Sequence, residues 1–249
     1  MATYKSLFKV QGTLDDINFY KSEDGYLIRT KGGIDAERIK SDPNFERTRE
    51  NNAEFGSSAT SGKRLRRAIL DMVSNAKDSR LSSRLTQVMT RVKNQDATSP
   101  RGKRHVAVGI QTPLGKGFLK GFNFNRKAPL EEVLLKEVEL NTTTGEMVIQ
   151  DFIPIQHLSI PEGATHVEFF AGFLNLDFET GDKDFQPSNK VNLPVNGTAS
   201  TVTLTPLAPA TGTGQAFYCI KLTFFQEVNT VLYPLRNGEH NVLHILNVI

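Results

Sequence analysis

Hydrophobic and polar positions change their period twice along this chain. The first forty residues carry short apolar runs, Ser6–Val10 and Ile17–Lys21, and Asp24-Gly25 stands between INFYKS and YLIRT. An Asp-Gly pair between alternating runs predicts a hairpin, because a type I′ turn needs positive φ at both central residues. Gly32-Gly33 then interrupts the pattern. A hairpin of this size buries too little surface to stand alone, so it must pack on the rest of the chain or on another copy.

From about Asp42 to Asn94 the period becomes helical. Asp42-Pro43 supplies an N-cap oxygen and a proline at the first helical position. A first helix is predicted over Pro43–Phe55, with a Ser-rich weak point from Gly56 to Gly62. Lys63–Ser74 follows, with Leu65, Ile69 and Met72/Val73 at helical spacing, and Ser79–Lys93 repeats it with Leu81, Leu85, Val88, Met89 and Val92. The opposite faces carry Lys63, Arg64, Arg66, Arg67, Arg80, Arg84, Arg91 and Lys93. Asn94–Lys103 has loop chemistry and marks a boundary.

Beyond it the period returns to two. Strands are predicted over His105–Gln111, Gly117–Asn125, Val133–Leu140, Glu146–Phe152, His166–Phe170, Thr201–Leu204, Ala216–Phe225 and His240–Val248, with Thr142–Gly145 and Asn237-Gly238 as hairpin loops. In Ala216–Phe224 one face carries Ala216, Tyr218, Ile220, Leu222 and Phe224 and the other Lys221 and Thr223, the pattern of a half-buried antiparallel strand. Many short strands with regular turns argue for a β-sandwich or partial barrel. The expected fold class is α+β: an amino-terminal β-hairpin and short helices, then an antiparallel, immunoglobulin-like β-sandwich. The expected segments are a hairpin arm (1–40), a basic helical region (41–97), connecting loops and strands (98–127) and an acidic sandwich (128–249).

Charge sharpens this layout. Residues 1–127 hold 25 Lys and Arg against 13 Asp and Glu, a net of +12, and residues 128–249 hold 5 against 14, a net of −9. Such sorting points to a charged partner or to head-to-tail contact between copies, and names no reaction. The single cysteine, Cys219, excludes an intramolecular disulfide or a CxxC site. The opening MATYKSLFKVQG has no apolar h-region and no run has the length of a membrane helix, so the expected place is the cytoplasm, or a particle released from it, with no membrane partner.

Candidate chemistry is sparse. His240 and His244 lie four apart on an expected strand, roughly 13 Å, too far for one metal ion. Asp177, Glu179, Asp182 and Asp184 lack EF-hand spacing and read as a solvated loop. Gly115-Lys116-Gly117 with Gly121 matches neither phosphate-loop pattern, Cys219 reads as a structural thiol, and no GxSxG elbow occurs. No catalytic residue, cofactor or metal site is expected. The best binding candidate is Lys63, Arg64, Arg66, Arg67, Arg80, Arg84 and Arg91, a density that suits phosphates or an acidic protein face, although no aromatic residues interleave with it.

Gly12, Phe19-Tyr20-Lys21, Asp24-Gly25-Tyr26-Leu27, Arg29 and Lys31-Gly32-Gly33 form a GxxxxxxFYKxxDGYLxRxKGG opening. With Arg47–Gly56 and Phe225–Asn229, it resembles a family of Bacteroidota proteins to which no activity is assigned. The resemblance implies the same layout and supplies no catalytic residue. The expectation is a non-enzymatic structural protein that self-assembles head-to-tail into a ring, tube or filament, a phage-like or cell-made particle. Its arm residues would be Phe19, Tyr20, Tyr26 and Ile28 and its contact surface the seven cations. The alternative is a nucleic-acid-associated protein binding phosphates through the basic helical region, and a third reading is a carbohydrate or surface-ligand module using loops of the sandwich, on fold analogy alone.

Overall fold

The first forty residues build a small antiparallel sheet. The computed structural model describes every residue except Met1, Ser6, Lys31, Gly32, Arg236 and Asn237. Strands β1 (Ala2–Thr3), β2 (Gly12–Leu14), β3 (Ile17–Ser22) and β4 (Gly25–Thr30) lie in the order β1-β4-β3-β2. The expected hairpin is present, but its turn differs. Ser22 pairs with Gly25, which leaves Glu23 and Asp24 as the loop, and of these positions only Gly25 has a positive φ, 110°. The glycine therefore follows the two turn residues instead of completing a type I′ pair. Leu7–Val10 joins no strand, while Lys31 and Gly32 of the expected Lys-Gly-Gly break lie outside the described residues. Helix α1 (Ala36–Ser41) follows, and Asp35 accepts from the Glu37 N–H at its start. A 3-10 turn over Pro43–Phe45 is capped by Asp42 through the Asn44 N–H.

The chain divides into two compact units, Met1–Arg49 and Glu50–Ile249. The division falls inside the expected helical region, and all expected segments beyond Glu50 share one unit. Helix α2 (Glu46–Ala68) is continuous through the expected weak point. Ser58, Ser61 and Gly62 are its buried face, and a Cβ on Gly62 would lie 3.4 Å from Leu85. Small residues there permit close helix packing, which outweighs their low helix propensity. Helix α3 (Leu70–Val73) and α4 (Leu81–Lys93) complete the expected helical set.

The strands expected over 105–125 are instead helical turns, α5 (Val106–Gly109) and α6 (Pro113–Gly117). Val106, Gly109 and Ile110 are buried together at helical spacing. A Cβ on Gly109 would stand 2.0 Å from the Val92 carbonyl, so glycine is the residue that lets α5 meet the end of α4. Only the segment around Asn123 runs beside a strand, through Gly121 and Phe124 N–H bonds to the carbonyls of Ile245 and Leu243.

The remaining chain is β-rich, with short helices α7 (Leu130–Val133) and α8 (Pro154–His157). Strands β5 (Glu139–Leu140), β6 (Met147–Phe152) and β9 (Ser200–Leu204) form a three-stranded sheet; the loop between β5 and β6 is the expected Thr142–Gly145. Strands β7 (His166–Leu176), β8 (Lys183–Pro194), β10 (Gln215–Val228), β11 (Val231–Pro234) and β12 (Val242–Val248) form a five-stranded antiparallel sheet. The Asn237 of the expected last hairpin lies outside the described residues, but its flanking strands do not form one. Both β11 and β12 pair antiparallel with β10, end to end along it, and the tight turn is Asn229-Thr230, with φ of 51° and 64°. The twelve-residue β8 has no counterpart among the expected strands.

Two cores sandwich the five-stranded sheet. On one face Val167, Phe169, Tyr218, Ile220, Leu222 and Phe224 meet Met147, Ile149, Phe152, Val202 and Leu204 of the smaller sheet. On the other, Leu174, Leu176, Phe217, Cys219, Leu243 and Ile245 meet Leu65, Ile69, Met72, Leu85, Met89 and Ile110 of the helices. The fold is thus α+β with β-sandwich character, and β10 is buried on both faces, not one, because the helical region covers the second. Cys219 lies in this core, where burial pushes its thiol up to about 12 and leaves it inert.

A buried charge cluster closes the helical layer. The Glu54 carboxylate accepts from Arg104 (2.9 Å at both oxygens), from the Gly102 N–H (2.8 Å) and from Lys93. Asp96 accepts from the backbone N–H groups of Thr98, Ser99 and His105, which pins the same loop. Lys93 is therefore internal, and Arg104, half-buried, is spent on Glu54. Arg104 above all, against the cost of burial and with help from Lys93 and Gly102, lowers Glu54 from 4.5 to about 2. The stabilisation is complete above pH 4.5 and is lost as the pH falls through about 2. Glu54→Gln leaves Lys93 buried without its counter-charge and should cost about 3–5 kcal/mol in chemical denaturation at pH 7. The gap from wild type should shrink as the pH drops below 4.5; a constant gap down to about pH 2 would refute this role.

Candidate functional site

The register of the amino-terminal sheet sorts its side chains. Phe19 pairs with Ile28, Lys21 with Tyr26 and Leu14 with Ile17, so Leu14, Ile17, Phe19, Tyr26 and Ile28 share one face. Tyr4 meets Phe19 edge-on, with ring centroids 5.4 Å apart. Tyr20 pairs with Leu27 and occupies the opposite face, apart from the other three expected arm residues. Not one described residue of Met1–Arg49 is buried, and Leu7, Phe8, Leu14 and Ile34 are exposed at 98%, 78%, 66% and 50%. This unit has a sheet but no core.

The seven expected contact cations divide by what they touch. Arg64 donates to the carbonyls of Phe178 and Glu179 and holds the β7–β8 loop. Arg84 donates to Asp78 and to the carbonyls of Asn123 and Phe124, both at 2.9 Å, and lies over the Phe122 ring at 5.2 Å. These two are clamps. Arg80 and Arg91 are exposed on α4. Lys63, Arg66 and Arg67 come together in one groove of about 510 Å³, where Lys77 joins them beside Leu70, Val73 and Leu81. None of these four cations makes a side-chain hydrogen bond or ion pair to a described residue, and the Arg66 Nε is buried without an acceptor.

A second groove of about 520 Å³ adjoins the first, lined by Arg84, Phe118, Lys120, Phe122, Asn123 and Arg126 among others. Asp78 lines one groove and its partner Arg84 the other, and Asp78 also accepts from the Arg126 N–H at 2.9 Å. Lys77, Lys120 and Arg126 escape a reading by helical stripes because they sit in loops. The two phenylalanines supply aromatic surface beside the cations that one-dimensional order conceals.

The other candidate positions are structural. Asp177 accepts from the Glu179 and Thr180 N–H groups and Asp184 from Thr211, so these carboxylates shape loops. Among the described residues no group of three or more His, Cys, Asp or Glu side chains could hold a metal ion. His244 is buried and bonds through Nδ1 to Asn123 Oδ1 at 2.8 Å, while the Asn123 amide donates to Glu131. That amide orientation leaves Oδ1 as acceptor, so the imidazole Nδ1 donates. Burial, opposed by Glu131, lowers the His244 pKa. Among the described residues no helix is long and apolar enough to cross a membrane.

By fold, then, this is an α+β protein with β-sandwich character, a coreless amino-terminal sheet and a grooved basic layer. No family model, curated protein or solved structure matches the chain, so function is argued from these surfaces alone. The division of the cations is itself testable. Arg84→Ala removes bonds to a carboxylate and two carbonyls and should cost about 2 kcal/mol or more. Arg67→Ala and Lys77→Ala remove only mutual repulsion and should leave the melting temperature unchanged or slightly raised. A groove variant as damaging as Arg84→Ala would contradict the assignment.

Proposed function

We propose that this protein is a non-enzymatic structural protein that assembles with copies of itself, the amino-terminal sheet of one copy docking on the next. One observation carries the reading: a four-stranded sheet presents Leu14, Ile17, Phe19, Tyr26 and Ile28 on one face, and no described residue of its unit is buried. A unit of this size without a core is marginal in water, so the apolar face needs a cover. The second unit contains two complete cores and needs nothing from the arm to fold.

A second copy suits the arm better than a highly charged partner. Residues 1–49 hold nine Lys and Arg against eight Asp and Glu, so the arm is almost neutral and its contact is apolar. Each copy also offers an apolar acceptor: β11 edges the large sheet, and Val228, Val231 and Tyr233 at the β10–β11 hairpin are about half exposed. An open strand edge with apolar side chains is a template for strand addition. Contact between two different patches of one chain is heterologous and grows into a ring or a filament according to whether its rotation closes.

Charge supports the same reading at a second level. Residues 50–127 hold 16 basic and 5 acidic side chains, yet Lys127–Glu239 is the one Lys/Arg–Asp/Glu pair joining them to residues 128–249 among the described residues. Opposite charges are left available for neighbours, and contacts that use them weaken with salt. Light scattering and electron microscopy of the whole protein at low and moderate salt provide the test. Uniform rings or polymers are expected, with loss of assembly in Phe19→Asp/Ile28→Asp and on removal of residues 1–33. A wild-type monomer at all concentrations, or a double variant that assembles normally, would refute the proposal.

A further inference from the structure

The adjoining grooves of the helical layer hold none of the apolar residues of the arm. Four of their cations, Lys63, Arg66, Arg67 and Lys77, line one groove, and Arg84, Lys120 and Arg126 line the other. Among the described residues the only carboxylates lining them are Asp78 and Glu132, and Asp78 is already engaged by Arg84 and by the N–H groups of Arg80 and Arg126. Holding like charges together in a concave surface is unfavourable unless an anion neutralises them.

The lining distinguishes among anions. Each groove has an apolar part as well as a charged one, Leu70, Val73 and Leu81 in the first and the half-buried Phe118 ring beside Phe122 in the second. Volumes near 500 Å³ suit groups of nucleotide size. Cations that follow a backbone beside aromatic and apolar surface that accepts unstacked bases are the chemistry of single-strand binding. An acidic peptide would satisfy the cations but leave the Phe118 side of the second groove without a matching group. We infer that the two grooves form one track for single-stranded nucleic acid, phosphates on Lys63, Arg66, Arg67, Lys77, Lys120 and Arg126 and a base against Phe118.

The site stands apart from the assembly reading, and its test has a separate readout. Fluorescence polarisation of the whole protein would use a labelled single strand of about 16 nucleotides, the matching duplex and a poly-aspartate peptide. The single strand should bind most tightly, and log K should fall against log salt with a slope of about −3 or steeper, near −0.7 for each phosphate neutralised. Arg67→Glu/Lys77→Glu and Lys120→Glu/Arg126→Glu should each weaken binding at least tenfold, a change of about 1.4 kcal/mol. Arg91→Glu/Lys103→Glu, an equal change of charge outside the grooves, should weaken it by less than about threefold. Phe118→Ala should weaken the single strand without altering poly-aspartate. Unchanged thermal melting of the groove variants excludes misfolding as the cause. Equal losses in the groove and control pairs, tighter binding of the duplex or the peptide, or no binding by wild type would overturn the inference.

Discussion

The structure depends on the double burial of its five-stranded sheet. Phe217, Cys219, Leu243 and Ile245 line one face of that sheet as completely as Tyr218, Ile220, Leu222 and Val242 line the other. The smaller sheet covers only one of these faces. Leaving the other wet would expose several large side chains, each worth about 1.5–3 kcal/mol of burial, against a net stability of only about 5–15 kcal/mol for a domain. The helical layer is thus an obligatory wall of the same core, and its narrow apolar stripes are shaped by that duty. Gly62 and Gly109 bring its helices close enough to form the wall, and the Glu54 cluster ties the following loop to it.

That duty decides where the positive charge goes. A helix that gives one stripe to the sheet must turn most of its Lys and Arg residues away from it, although that sheet belongs to the acidic half of the chain. The halves are joined by apolar contact and by Arg64 bonding to backbone carbonyls, with little use of carboxylates. Sequence asymmetry therefore becomes spatial asymmetry. The arm follows the opposite rule: its sheet carries aromatic and branched residues of which none described is buried, and its charge is nearly balanced. One unit needs a cover for apolar surface and the other needs counter-charge, which are different partners in physical terms.

What could be read from the sequence follows from which signals are local. Strands β6, β7, β9, β10 and β12 show in their runs of β-branched and aromatic residues, because these meet a core, and the hairpin at Ser22–Gly25 shows in the Asp-Gly pair between two alternating runs. The failures lie where a residue's meaning depends on something distant. Ser58, Ser61 and Gly62 look like a helix break until α4 is seen packed on them, and His105–Gln111 alternates although Gly109 fits it to α4 as a helical turn. Strand β8 is hard to find because its burial pattern is mostly intermediate, with polar residues on an edge. At the candidate site Lys63, Arg66 and Arg67 were visible as a charge run, while Arg64 and Arg84 are indistinguishable from them in sequence and serve as clamps. Lys77, Lys120, Arg126 and Phe118 belong to the site only through the fold, since loops bring them there from separate segments.

The distinction between clamping and unengaged arginines bears on how a basic layer of this density stays folded. Residues 50–127 carry a net of +11, and mutual repulsion among them opposes compaction. Part of that charge is absorbed where it does structural work: Lys93 and Arg104 on Glu54, Arg84 on Asp78, Arg101 on Glu50. The apolar wall supplies the remaining stability, since Leu65, Ile69, Met72, Leu85 and Met89 are fully buried. The cations left over are therefore superfluous to the fold, and several of them are concentrated in two concave grooves instead of being spread over the convex surface. Dispersing them would lower the repulsion without disturbing any contact of the core. Their concentration is a standing electrostatic cost that a bound polyanion would relieve.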